Sequence, residues 1–230
     1  FNSMAWIHLW CWIRCNYSLG QKGIKIMYAV SIRAQIKDGR IEELKEFIKS
    51  DALPRLEVPG MISIGFFNPD SNINLGMAFL ESKEAADIFA EERNKNLSVM
   101  ADVFASFPKV VEGEITLGKM YQDRDASDNE EAYVRVVFAK VDNPEVSTSF
   151  VKEKIFPIYE EAEGLRGAGF FVADGEAVSW NIWDSEEEAN AVVPKFNEEL
   201  SSAEGIFSED PQPYMGYLYA GKNFIDVKKN

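Results

Sequence analysis

The chain has 230 residues, 46% of them apolar, with 38 acidic against 24 basic side chains and a net charge of −14. The length fits one or two domains with a packed core, and the acidic balance argues against nucleic acid or an anionic membrane as partner, since both need a basic face. No run of roughly 18 apolar residues marks a spanning helix, and both cysteines (Cys11, Cys15) and the single histidine (His8) precede residue 16, which removes thiolate, disulfide and histidine-ligand chemistry from the rest.

Residues 1–26 hold no acidic side chain and three of the five tryptophans, and Met27 stands directly before the first strand-like run. The leading expectation is upstream sequence translated ahead of a start at Met27, outside the fold. The alternatives are an amphipathic interaction segment and a signal peptide, which lacks its basic n-region and small-residue cleavage site.

Tyr28 to Ile36 alternates, with Val30, Ile32, Ala34 and Ile36 on one face and Ser31, Arg33 and Gln35 on the other, the pattern of a strand. Asp38-Gly39 turns the chain, and Ile41, Leu44, Phe47, Ile48 and Ala52 give a helical stripe. Pro54 is expected to end that helix. Met61 to Phe67 and Leu75 to Leu80 read as strands around the turn residues Asn68 to Asn72. Ser82 can cap a second helix running through Ala85, Ile88, Phe89, Leu97, Met100 and Phe104, and Val110 to Leu117 is the fourth strand.

Residues 119–131 read as a linker, after which the order repeats. Pro54 and Pro157, and likewise Gly113 and Gly216, stand 103 residues apart, while Gly65-Phe66-Phe67 and Gly169-Phe170-Phe171 stand 104 apart. So constant an offset points to duplication of a whole small domain. Tyr133 to Val141 is a strand, the stripe Phe150, Val151, Ile155 and Ile158 a helix, and Asp174-Gly175 joins two strands as a tight hairpin. Ser185 with Glu188 forms a capping box for a helix through Ala189, Val193, Phe196, Leu200 and Ala203, and Pro213 to Ala220 is the last strand. The expected division is a ferredoxin-like repeat over 27–118, the linker, a second repeat over 132–221, and a polar tail over 222–230.

The fold class is therefore α+β: two β-α-β-β-α-β units, each with helices on one face of a four-stranded sheet, packed sheet to sheet within one chain. In the fourth strand of the first repeat, Val111, Ile115 and Leu117 suit the helices, and Glu112, Glu114 and Thr116 are expected to point away. The positions matching that second face in the other repeat are Met215, Tyr217 and Tyr219.

On these residues the chain resembles the dimeric α+β barrel superfamily, and within it the antibiotic biosynthesis monooxygenase-type domains. The resemblance rests on the element order, the prolines 54 and 157, the two Gly-Phe-Phe strands and the Ser-initiated second helices, and covers roughly 28–221. It implies an internal pseudo-dimer and a range of activities, from cofactor-free oxygenation of phenolic compounds to haem chemistry, lactone isomerisation or none. Haem-using relatives rely on a histidine, which the repeats lack. Oxygenase relatives use Asn, Trp, Tyr or Arg side chains to hold a phenolic substrate, residue types that Asn181 and Trp180 match.

The candidate site residues follow from the strand faces. Arg33 and Glu114 sit on polar faces of neighbouring strands, either as an oxyanion-holding pair or as a structural cross-strand pair. Tyr133 and Arg135 share one face. An Arg among the helices would be expensive to bury, so both are assigned to the space between the sheets, or to an edge contact with solvent. Trp180, Asn181, Tyr217 and Tyr219 would line a pocket for a flat ligand there, or fill a sheet-to-sheet core. The first repeat has Met77, Glu114 and Thr116 where the second has aromatics, so the second repeat is favoured. Three apparent motifs fail. Asp123 to Asp128 lacks the glycine and glutamate of a calcium loop, Gly164 to Gly169 precedes a strand instead of a helix, and Glu186-Glu187-Glu188 suits a helix N-terminus.

The leading expectation is a cytoplasmic small-molecule-binding protein with a cleft between its sheets, needing no cofactor or metal, that oxygenates a phenolic or quinol-like compound. The alternatives are a non-catalytic binding protein using the same cleft and a structural module with a filled core. A small hydrophobic or aromatic ligand is the expected partner, and self-association is left open.

Overall fold

The computed structural model describes residues 27–120 and 132–223. The expectations for residues 1–26, for linker positions 121–131 and for the tail from 224 onward lie outside the described residues.

The first half runs β1 (Tyr28–Gln35), α1 (Ile41–Phe47), a wide helical turn (Ile48–Ala52), α2 (Leu53–Arg55), β2 (Met61–Asp70), β3 (Ile73–Leu80), α3 (Lys83–Val99), β4 (Lys109–Glu114) and β5 (Leu117–Met120). The second half runs β6 (Tyr133–Lys140), α4 (Pro144–Phe150), a matching wide turn (Val151–Ile155), α5 (Phe156–Glu161), β7 (Leu165–Ala173), β8 (Glu176–Trp183), α6 (Glu186–Ala191), α7 (Val193–Ser201) and β9 (Gln212–Asn223). Pro54 and Pro157 do not end their helices as expected. A proline lacks the N–H and crowds the carbonyl four residues back. Here the residue before each proline bonds five residues back instead, Leu53 N–H to Ile48 C=O and Phe156 N–H to Val151 C=O, and the widened turn lets the helix continue. Ser82 and Ser185 cap as expected, each accepting from the N–H three residues on. Pro194 interrupts the last helix, which divides into α6 and α7 at Val192. The Asp174-Gly175 hairpin has positive φ at both residues, as a primed turn requires.

The strands form one sheet in the order β4-β1-β3-β2-β9-β6-β8-β7-β5. Each half thus has its first and third strands in the centre. The fourth strand of each half changes partners along its length. Residues 109–114 pair with β1, whereas Leu117 to Met120 pair with β7. In β9, Gln212 to Tyr217 pair with β6, and Leu218 to Asn223 with β2. β4 runs directly into β5, so a segment that starts on β1 at one end of the strand order finishes on β7 at the other, and the sheet curls into a barrel.

Three cores result. Val30, Leu44, Leu80 and Phe89 belong to the layer between the sheet and the helices of the first half. Ile155, Tyr159, Trp183 and Phe196 belong to that of the second. Phe67, Met77, Phe79, Val136, Phe171, Val178 and Trp180 fill the barrel, where the Phe79 and Trp180 rings meet across the two halves at 4.4 Å. The expected cleft between the sheets is therefore occupied by side chains.

Several facing expectations are corrected. Val111 and Ile115 point into the barrel, and Glu112 turns toward the helices, where its carboxylate accepts from Arg93 of α3 at 2.9 Å. The barrel interior is as dry as the helix side, so aliphatic character does not distinguish the two faces, and Arg93 removes the objection to a carboxylate there. Arg135 likewise lies on the helix side. Alternation in β6 sends Val134, Val136 and Phe138 into the barrel and Tyr133 and Arg135 the other way.

Candidate functional site

Two rows of side chains cross the helix-facing side of the second half. Tyr217, Tyr133 and Trp183 are register partners across β9, β6 and β8. Two residues along, Met215, Arg135 and Asn181 form the next row. Tyr159 reaches them from α5, its hydroxyl accepting from Asn181 Nδ2 at 3.0 Å. The same amide accepts from Trp183 Nε1 at 2.5 Å, so Asn181, only 1% exposed, is held at both ends. The Tyr159 ring packs edge-on against Phe196 of α7. Burial pushes the Tyr159 phenol above its ordinary pKa.

Arg135 is 5% exposed. Nη2 donates to the Ala189 carbonyl at 3.0 Å, Nε points at the Met215 sulfur at 3.3 Å, and the guanidinium lies over the Phe196 ring. Among the described residues no carboxylate pairs with it. Desolvation lowers its pKa, and electrostatic interaction with Tyr159 and Tyr133 partly opposes that. A buried cation without an anion is costly, and it is the group in this half that an anionic ligand oxygen would relieve.

A groove of about 740 Å³ opens beside this cluster, lined by Lys45, Asn68, Tyr133, Glu186, Met215, Tyr217 and Tyr219 among others. Tyr133 and Tyr217 meet edge-to-face at 5.0 Å. The Tyr133 hydroxyl donates to Glu186 Oε1 at 3.4 Å, and burial, then the nearby Glu186 charge, raise its pKa. On the far wall the Tyr219 hydroxyl donates to Asn74 Oδ1 at 2.7 Å, with Lys45 over its ring.

Of the sequence-derived candidates, Tyr133, Tyr217 and Tyr219, expected between the sheets, face the helix side instead and share the groove, and Arg135 and Asn181, expected in the same inter-sheet space, lie together beneath the helices, because alternation along β6, β8 and β9 turns their neighbours into the barrel. The others are elsewhere. Trp180 projects into the barrel because it neighbours Asn181 on the strand, and adjacent residues face opposite ways. Arg33 sits at one end of the barrel, its Nη1 donating to the Tyr214 hydroxyl at 3.0 Å and its charge over the Phe138 and Tyr214 rings. Glu114 is exposed and pairs in register with Tyr28, whereas Arg33 pairs with Lys109 at the other end of the same ladder. The proposed Arg33–Glu114 pair does not form.

Sequence reading does not single out Tyr159 or Trp183, puts Met215 on the inter-sheet face and reads Glu186 only as a helix N-terminal carboxylate. A direct comparison of the halves carries the signal. Val30 pairs with Ala78 two positions in from Tyr28–Leu80, just as Arg135 pairs with Asn181 two positions in from Tyr133–Trp183. Leu56 and Tyr159 each follow their proline by two residues. One half thus places Val, Ala, Leu and Leu where the other places Arg, Asn, Trp and Tyr.

No protein-family model and no curated protein matches the sequence. Solved structures do. A candidate monooxygenase from Fusobacterium nucleatum is 10% identical with a TM-score of 0.67, covering 87% of this chain and 96% of its own. A candidate monooxygenase from Lactobacillus acidophilus is 13% identical with a TM-score of 0.63, covering 86% and 96%. The chain has the dimeric α+β barrel fold, closed within itself. An anthrone oxidase-like protein, also 13% identical, superposes with a TM-score of 0.61 over 86% of this chain and 93% of its own. Likeness at these identities establishes the barrel and leaves its chemistry to the site. Among the described residues, no helix is long and apolar enough to cross a membrane.

Proposed function

We propose that the second half of this barrel holds the working site, that the groove takes a flat phenolic or quinol-like compound, and that dioxygen oxidises it there without a cofactor. The observation that carries this reading is the buried, carboxylate-free guanidinium of Arg135 beside an aromatic groove. Tyr133 and Tyr217 offer ring faces and edges to a planar ligand, and Arg135 supplies positive charge in a dry setting for its ionised oxygen. The names of the fold neighbours point the same way. The two halves, 27–118 and 132–221, are read as duplicated domains of which the second keeps the site, and a cytoplasmic location belongs to the same proposal.

In the reaction this implies, the phenol O–H passes its proton to Glu186 through the Tyr133 hydroxyl. The phenolate, held by Arg135, gives one electron to dioxygen. Superoxide and phenoxyl radical then join at a ring carbon, the resulting peroxide anion takes the proton back from Glu186 through Tyr133, and the hydroperoxide so formed loses water to leave a quinone. One oxygen atom ends in the product and one in water, and a phenol C–H and O–H supply both hydrogens. Glu186 is exposed to solvent, an unfavourable place for a base, and this favours the second reading, in which the groove binds its ligand without turnover. Oxygen-electrode assays with a panel of polycyclic phenols and quinols separate the two. Uptake that disappears in Arg135→Met supports oxygenation. Ligand binding without uptake supports the carrier reading.

A further inference from the structure

Met215 stands between the groove and Arg135. It is the register partner of Arg135 across β9 and β6, it forms part of the groove lining, and its sulfur occupies the Nε donor at 3.3 Å. Thioether sulfur is a weak acceptor, far poorer than an anionic oxygen for a guanidinium. Methionine is also unbranched, with three rotatable bonds, and readily repacks. A buried cation is thus satisfied at Nε by one of the weakest partners available, on a side chain free to move toward an open space. The first half has no such arrangement. There the corresponding register pair is Val30 with Glu112, and Glu112 is engaged by Arg93.

We infer that Met215 is a gate. It swings into the groove so that the anionic oxygen of a phenolate or enolate replaces its sulfur on Arg135 Nε. The inference rests on the groove reading above and adds to it the ligand's ionisation state and the residue that decides access. Met215 is a positioning residue, acting through Arg135.

The test uses the full chain and two probes under nitrogen, 4-nitrophenolate followed by its absorbance and uncharged nitrobenzene followed by calorimetry. Met215→Ala opens the gate permanently and should bind 4-nitrophenolate about tenfold more tightly, the scale of one weak contact no longer displaced. Met215→Ile, stiff at χ1, keeps the gate shut and should weaken phenolate binding about tenfold more than it weakens nitrobenzene binding. Arg135→Met should lose the preference for phenolate over nitrobenzene. Circular dichroism of each variant confirms folding. Equal phenolate affinity in wild type, Met215→Ala and Met215→Ile overturns the gate, as does a phenolate preference that survives Arg135→Met. With dioxygen absent, these outcomes are independent of turnover. Failure of either probe to bind wild type or Met215→Ala overturns the groove reading and the gate together.

Discussion

Asn181→Ala is the most informative single perturbation of the second half. The amide donates to Tyr159 Oη and accepts from Trp183 Nε1, and the position is sealed from solvent. Without it, the Trp183 N–H loses its acceptor. A buried donor left unsatisfied costs about 1–3 kcal/mol, and the space vacated by the amide adds to that, for about 2–4 kcal/mol in all. For a chain of this size about 1 kcal/mol moves the melting temperature by about 2–4 °C, so a fall of about 5–15 °C is expected. Urea denaturation of the full chain measures the loss, and a cycle with Trp183→Phe isolates the hydrogen bond. Once Asn181 is gone, Trp183→Phe should cost about 1–2 kcal/mol less than it does in wild type. A loss below about 0.5 kcal/mol for Asn181→Ala, the size of an ordinary surface change, or strict additivity in the cycle, would refute the clamp.

The remaining expectations concern the barrel, its end and alkaline pH. A Cβ on Gly169 would run into the Trp180 ring, so Gly169→Ala should destabilise by about 1–3 kcal/mol through overpacking, and a neutral result in chemical denaturation would mean that Trp180 is not seated there. Arg33→Met removes the contacts to Tyr214 and Phe138 at the barrel end and should leave nitrobenzene affinity unchanged by calorimetry, whereas Tyr217→Ala should weaken it about tenfold, roughly one aromatic contact. Tyr133, Tyr159 and Tyr219 are all held above the ordinary phenol pKa, by burial foremost. Unfolded tyrosines ionise near about pH 10, so the unfolded chain sheds these protons first, and stability holds below that pH and falls as pH rises past it. The double variant Tyr159→Phe, Tyr219→Phe should lose less stability than wild type above about pH 10, followed by urea midpoints, and an equal loss would contradict the burial of these phenols.

The β-α-β-β-α-β order of each half and the sheet-to-sheet packing were readable in the sequence because alternation, caps and turn residues are local signals. The two Ser caps and the Asp174-Gly175 hairpin behave as those signals require. Which way each strand faces was less accessible. Both sides of these sheets are buried, so Val111 and Ile115 fit either, and only the register of β4 against β1 places them in the barrel. Arg135 was sent to the wrong face by a sound rule applied without knowledge of its partners, since the Ala189 carbonyl, the Met215 sulfur and the Phe196 ring come from elements distant in sequence. Tyr159 and Trp183 stand out only against Leu56 and Leu80 at the matching positions of the first half. The partner change within β9 is also non-local, and it places Tyr217 against one half and Tyr219 against the other.

The most direct measurement is a crystal structure of the full chain with a polycyclic phenol bound at high pH and without dioxygen. The expected result places the ring in the groove against Tyr133 and Tyr217, with its oxygen about 3 Å from Arg135 Nε and Met215 turned aside. A ligand found in the helix-side layer of the first half, or in the groove with Met215 still on Arg135, would contradict the central claim that the guanidinium is the receptor for the ligand's charge.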